Sequence, residues 1–358
     1  MAECFNNSVI IYITIYIRWF DMDYNGVAKV QHYVPQFLLR NFGVGKKRKF
    51  YVYDKANNKI FSTTSKNIAC ESRFYDFEVK VDNSSISGTI EHKLSDIECN
   101  AQSALKKIID SDNLSVMTDE DKRNISMFLA AQVVRTKNSR INWENLPVLF
   151  RDEIERRFPS CNFGDELKEY IEDIDTKRKN FDFDMFVAKA TEEFAGLFYE
   201  KVWIWGINDS KKPFFISDDP VVVYNHYQKV TPFFNPHGFG VLGADTYLPI
   251  TSNRILWLAC PVKSKEMQNV YESNETLIKV NRIFSGNINN FKSIENLYIA
   301  ITKMQPIDFE EDNIKFVNSL QVMGAERYII SRSDDFTFAE KILKEHPEYK
   351  QGKRIIIN

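Results

Sequence analysis

Lys201-Val202-Trp203-Ile204-Trp205-Gly206-Ile207 is the stretch on which the fold turns. Its short β-branched and aromatic pattern reads as a strand. Behind it, residues 89–199 carry helical spacing; ahead of it, residues 200–301 break into short strand-like runs. A helical middle followed by strands predicts an α+β chain: a central antiparallel or mixed sheet packed against a mostly helical middle segment.

On the helical side, Ile90, Leu94, Ile97, Ala101, Leu105, Ile108 and Ile109 keep one face of a helix over Thr89–Asp110. Thr118, with Asp121 three residues on, reads as the N-cap of a helix over 119–137 that buries Ile125, Phe128, Leu129 and Val133. Further helices are expected near Trp143–Arg157, Glu166–Lys177 and Phe183–Phe198. On the strand side, Pro213–Ile216 and Val221–Tyr224 flank Ser217-Asp218-Asp219-Pro220, and Tyr247–Ile250, Arg254–Ala259 and Asn296–Ile301 are further strands. Helices over 273–291 and 335–346 complete the C-terminal part, ahead of a basic tail at Lys350, Lys353 and Arg354. Near the start, Pro35 opens a short helix over Gln36–Asn41, Lys46–Lys49 forms a basic turn, and Phe50–Tyr53 and Lys59–Thr63 form a hairpin.

Residues 1–21 stand apart. Ser8–Phe20 is apolar but shorter than the roughly 20 residues that cross a bilayer, and it lacks a basic leader and a cleavage site. The expectation is an extension upstream of Met22, with residues 22–358 forming a single composite domain, since no linker marks a boundary. The 358 residues are ordinary in hydrophobic (44%) and charged (27%) content, which places the chain among globular proteins. A net charge of -2 offers no global attraction to nucleic acid and leaves only local basic patches to supply it. Cys4, Cys70, Cys99, Cys161 and Cys260 never pair as C-x-x-C, so free thiols in the cytoplasm are expected and a zinc ribbon is not. There is no P-loop, no G-x-G-x-x-G, no G-x-S-x-G and no H-E-x-x-H, which argues against Walker NTPases, Rossmann oxidoreductases, α/β-hydrolases and thermolysin-like proteases.

Gln31-His32-Tyr33-Val34-Pro35-Gln36-Phe37-Leu38-Leu39-Arg40-Asn41-Phe42 is the most distinctive segment. It resembles the opening of a bacterial family of unknown function. The resemblance continues through Thr64–Ala69, the pair Phe74-Tyr75, the helix bearing Glu91 and Glu98, Gln132-x-x-Arg135-Thr136, and Phe215–Val221. The family's last motif usually reads Thr-Ser-Asp-x-Pro-Val, and Ile216 departs from it. The resemblance covers roughly residues 30 to 300 and implies no activity.

The residues themselves suggest a site. His32 sits just ahead of a helix start, where an imidazole is a candidate acid, base or metal ligand, or else fixes the turn. Glu91 and Glu98 share a helix face; Glu98, beside the apolar stripe, is the preferred metal ligand, and a solvated face is the alternative. Gln132 and Arg135 enter an apolar stretch and need partners; Arg135 would clamp a phosphate or carboxylate, or pair with Asp218 or Asp219. Gln132 and Arg40 are the candidate substrate-binding residues. Asp218 and Asp219 end a strand and could serve acid–base or metal chemistry, Asp218 foremost, or form a turn before Pro220.

Together His32, Arg135 and Asp218 as catalytic residues, with Glu98, Asp218 and Asp219 on a divalent metal ion, predict metal-assisted phosphodiester hydrolysis. Nucleic acid is then the expected partner and no membrane is involved; the setting would be a nuclease-type toxin or phage-defence effector. The alternative is a non-enzymatic binding protein whose polar motifs form a structural network and whose aromatic loop Tyr227–Phe239 meets a partner. Convergence of the four residues in an open pocket favours the enzyme; convergence in a closed interior favours the network.

Overall fold

The computed structural model describes residues 29–81, 84–157, 190–227, 238–284, 289–352 and 354. The extension read at residues 1–21, the helix expected at 166–177 and most of the aromatic loop lie outside them.

The fold is α+β, as the pattern change at Glu200 predicts. A mixed five-stranded sheet runs in the order β12 (Ile307–Asp308), β7 (Val202–Ile207), β11 (Arg254–Ala259), β10 (Ala244–Thr251), β9 (Val222–Asn225). All its pairs are antiparallel except β12 with β7. A four-stranded antiparallel sheet has the order β3 (Lys59–Thr63), β2 (Phe50–Asp54), β13 (Tyr328–Ser331), β8 (Ile216–Ser217). Two ribbons complete the strands: β1 (Val30–His32) with β4 (Cys70–Ser72), and β5 (Asp76–Val81) with β6 (Ser84–Thr89).

The helical middle covers one face of the larger sheet. It comprises α2 (Glu91–Ser111), α3 (Asp119–Val134), α4 (Lys137–Arg157) and α5 (Ala190–Tyr199), after the short α1 (Gln36–Arg40). Trp203, Trp205, Leu248, Leu256 and Leu258 pack into one core with Leu105, Ile108, Phe128, Leu129 and Phe198 of the helices. The opposite face is also covered. Ile204 meets Ala300 of α7 (Asn289–Lys303), and Tyr247, Ile255 and Val222 meet Ile314, Val317 and Leu320 of α8 (Glu311–Gly324). β7 is therefore buried on both sides, which explains why its sequence is an almost unbroken apolar run. Gly206 is required there, because a Cβ would stand 2.4 Å from the Phe309 ring and 2.5 Å from Ile255 Cγ2.

The structure corrects several expectations. Asn296–Ile301 is not a strand but the second half of α7. Ile294, Leu297 and Ile301 keep helical spacing, and six apolar residues alone are too short to show the period. Between Pro213 and Val221, only Ile216–Ser217 pairs as strand. The helix expected at 273–291 belongs to α6 (Pro261–Phe284), which starts twelve residues earlier by count from Ser273. The helix expected at 335–346 is α9 (Thr337–Glu345), whereas α8 and β13 have no counterpart in the sequence pattern. Among the described residues, no helix is long and apolar enough to cross a membrane.

Candidate functional site

Two polar groups lie on either side of the Arg135-Thr136 step. The first gathers around Arg135. A capping box starts α3: Thr118 Oγ1 accepts from Asp121 N at 3.1 Å while Asp121 Oδ2 accepts from Thr118 N at 3.0 Å. The helix ends at Val134, and Arg135 is its C-cap, with 2% of its side chain exposed. Its guanidinium donates from Nη1 to Glu98 Oε1 at 2.7 Å, from Nε to the Tyr75 hydroxyl at 3.1 Å, and from Nη2 to the backbone carbonyl of His32. Burial opposes the charge, but Tyr75 and Glu98 outweigh it and keep Arg135 protonated.

His32 arrives on β1, where Gln31 stitches the strand in place. Gln31 Oε1 accepts from Tyr75 N at 2.7 Å, and its Nε2 donates to Asp76 and Thr89. The His32 ring lies beside the backbone of Lys66 and Ser65, and its Nε2 is buried with no partner. Burial above all, and Arg135 in addition, hold the imidazole below its ordinary 6.5, so it is neutral at pH 7. Gln132, fully buried one turn back on α3, donates to Tyr33 O at 2.9 Å and leaves Oε1 unpartnered. Glu91, at the start of α2, has an unpartnered buried Oε2. Burial and the nearby Glu98 raise its carboxyl above 4.5, with Arg135 opposing.

The second group follows β8. Asp218, 1% exposed, accepts at Oδ1 from Glu326 N (2.8 Å) and at Oδ2 from Arg327 N (2.9 Å) and Tyr328 N (3.0 Å). It thus ties together the turn between α8 and β13. Asp219 accepts from Asn138 Nδ2 at 2.8 Å and meets the Thr136 hydroxyl. Burial pushes Asp218 to about 6 and, with the neighbouring Asp218 charge, Asp219 to about 7. The buried Lys55 donates to Val322 O and Ala325 O and is pushed down to about 8 by burial. Arg354, from the basic tail, bonds Glu326 twice and Asn138 once.

The structure therefore brings His32, Glu98, Gln132 and Arg135 together and puts Asp218 and Asp219 in an adjacent group. Arg135 pairs with Glu98, not with either aspartate. Glu98, Asp218 and Asp219 do not share one coordination position, and among the described residues no group of three or more His, Cys, Asp or Glu is placed to hold a metal. Their partners explain this: Arg135 engages Glu98, and backbone amides occupy Asp218. Arg40 is exposed on α1 and donates to Gln36 Oε1, which also faces the Ser65 hydroxyl. Lys46, Lys47, Arg48, Lys49 and Lys66 are exposed on the same part of the chain, and among the described residues none of them forms an ion pair with an acidic side chain. A cavity of about 470 Å³ is lined by Asn208–Lys211, Pro213, Ser252, Asn253, Arg332 and Ser333, and a smaller one adjoins it; neither touches the Arg135 group.

Tyr75 and Gln31 join the site without being singled out by sequence reasoning. Each sits inside a distinctive motif, Gln31 beside His32 and Tyr75 beside Phe74, and that adjacency is the signal that points to them. Glu91, the less favoured of the two helix glutamates, is the one with an unpartnered oxygen. Helix spacing alone does not separate it from Glu98.

No curated protein and no solved structure matches the chain. A family model described as protein of unknown function (DUF4238) matches residues 30–335, and the chain belongs to that family.

Proposed function

We propose that the chain cleaves phosphodiesters of nucleic acid at the Arg135 group. One observation carries the reading: a neutral imidazole with a buried, unpartnered Nε2 stands in the same group as a buried, permanently charged guanidinium. Buried polar atoms are almost always hydrogen-bonded, so an unpartnered imidazole nitrogen, amide oxygen and carboxyl oxygen around one cation need an explanation. A bound substrate supplies it. His32 is the base, Arg135 holds the phosphoryl charge, Glu91 is the acid, and Glu98 with Tyr75 positions Arg135. The exposed run Lys46–Lys49, with Arg40 and Lys66, offers the local positive charge that the net charge of -2 withholds.

A second reading has its own support, and the closed-interior criterion favours it at the Arg135 group as well, since neither described cavity reaches that group and its unpartnered atoms are buried. Asp218, bound by three backbone amides, has the surroundings of a structural anchor, and the Asp218–Asp219 group fits a structural network better than a reacting centre. In the enzyme reading these aspartates support the fold around Thr136.

The test uses purified protein with end-labelled RNA, end-labelled DNA and bis(p-nitrophenyl) phosphate, each with Mg²⁺, with Mn²⁺ and with chelator. Cleavage of any of these that His32→Ala reduces by about 100-fold or more supports the reading. Intact substrates under all conditions overturn it, as would activity untouched by His32→Ala. Inducible expression of the two forms in a bacterium, with RNA and DNA integrity followed, provides the cellular counterpart.

A further inference from the structure

We infer that the cavity between the 208–213 loop, the β10–β11 turn and the end of β13 binds a nucleoside monophosphate, its phosphate on Lys211 and Arg332. The site is separate from the Arg135 group and independent of it. Its walls are held by short hydrogen bonds. Asn208, 2% exposed, donates from its amide to Lys212 O at 2.8 Å and accepts from Ser210 N at 2.9 Å. Its own backbone N–H donates to Asn253 O at 2.9 Å, and Phe214 N donates to Ser252 O at 2.8 Å. The loop and the turn are thereby fixed to each other. Arg332 follows directly on Ser331, the last residue of β13.

The groups left over along these walls donate. Lys211 and Arg332 have no acidic partner among the described residues. The adjacent cations do: Lys212 and Lys315 are bound to Glu311, and Arg254 to Asp112. Ser252 lines the cavity, and its hydroxyl has no hydrogen-bond partner among the described residues. The Thr251 hydroxyl donates to Asn253 Oδ1 at 2.8 Å, which leaves the Asn253 NH₂ over. Ser333 Oγ accepts from Asp335 N at 3.2 Å and still has its own proton to give. Asp209 also lines the cavity and lies 3.9 Å from Arg254 Nη1. Two cations and several uncommitted donors around one cavity match a phosphate monoester, whose oxygens carry close to two negative charges. A carboxylate brings one charge and two oxygens.

Volume sets the rest of the ligand. About 470 Å³ is more than a phosphate ion fills and falls in the range of small-molecule sites. A second cavity of about 140 Å³ shares Lys211, Pro213 and Ser333 with the first and adds the apolar side chains of Phe215, Ile314 and Phe338. A ligand lying across both needs a charged head, a polar middle that can donate to Asp209, and an apolar, compact end. Phosphate, ribose and base supply these in that order.

The experiment titrates the full-length chain by calorimetry with 5′-AMP, ribose 5-phosphate, inorganic phosphate and adenosine. The 5′-AMP titration is repeated on Lys211→Gln and Arg332→Gln, both at exposed positions outside the core. The expected order is 5′-AMP tightest, ribose 5-phosphate and phosphate weaker by about 10-fold or more, and adenosine without measurable binding. Each variant should lose about 10-fold in affinity for 5′-AMP. Affinity unchanged in both variants overturns the inference, because the nucleotide then sits elsewhere. Phosphate or adenosine binding as tightly as 5′-AMP overturns it too, as does no binding of 5′-AMP at about 1 mM. The comparison among the four probes uses only the unaltered chain, so a variant that fails to fold cannot confuse it.

Discussion

Nη1 of Arg135 lies 2.7 Å from Oε1 of Glu98, and this pairing joins the end of α3 to the middle of α2. The two partners differ in exposure, 2% for the arginine side chain against 27% for the glutamate. Arg135→Lys keeps the charge but not the fork that reaches Glu98, Tyr75 and the His32 carbonyl at once. It is expected to cost about 3 kcal/mol in urea unfolding. Glu98→Gln, whose site is partly open to water, should cost about 1 kcal/mol. A lysine variant within about 0.5 kcal/mol of wild type, on the order of ordinary surface changes, would show that the fork holds nothing.

Asp218 and Asp219 should part company when each becomes an amide. Asp218→Asn turns an NH₂ toward backbone N–H groups of 326–328 and is expected to destabilise by about 2–3 kcal/mol. Asp219→Asn keeps an acceptor for Asn138 and removes a charge beside Asp218. Asp219 is raised from 3.8 to about 7, so the folded chain holds this proton where the unfolded chain has released it. Its contribution therefore falls as pH rises between about 3.8 and 7. Asp219→Asn should flatten that decline and be at least as stable as wild type at pH 8. Urea midpoints at pH 5, 6.5 and 8 for the three proteins check this, and a steeper decline in the variant contradicts it.

The exposed basic segment predicts a salt effect. Replacing Lys46, Lys47 and Lys49 with glutamine leaves the fold alone, since all three are exposed. RNA binding, read by fluorescence anisotropy from 50 to 200 mM salt, should weaken. The slope of log K against log salt should flatten by up to about 0.7 for each single-strand phosphate that the segment no longer neutralises. An unchanged slope would remove this segment from the interface.

Much of this architecture was legible in the sequence, and the misses have physical causes. The capping box at Thr118 and Asp121, the hairpin over 50–63 and the switch at Glu200 are local signals, and each predicts its element. Asn296–Ile301 misleads because six apolar residues fit a strand or a buried helix equally well. β13 escapes because only four residues pair, and its place between β2 and β8 comes from partners nearly 280 and 110 residues away, as Ile329 opposite Tyr53 and Ser217 shows. At the site, the grouping of His32, Glu98, Gln132 and Arg135 follows from motif order and helix faces. The division between the Arg135 group and Asp218 does not, because it depends on backbone amides of the α8–β13 turn, which side-chain reasoning does not see.

The pH dependence of cleavage separates an acid–base pair from a merely structural cluster. His32 must be unprotonated to act as base, and burial holds it below 6.5, so the rising limb of kcat/KM should lie below pH 6.5. Glu91 must be protonated to act as acid, and burial holds it above 4.5, so the falling limb should begin above pH 4.5. The profile is therefore a bell bounded by these two limbs. Glu91→Gln should lower the rate about 100-fold and remove the falling limb, leaving a single ionisation. Glu98→Gln should lower the rate through Arg135 while both limbs persist. A profile still rising above pH 8, or a Glu91→Gln enzyme with both limbs intact, would take Glu91 out of the proton transfer and leave Arg135 with a structural cluster around it.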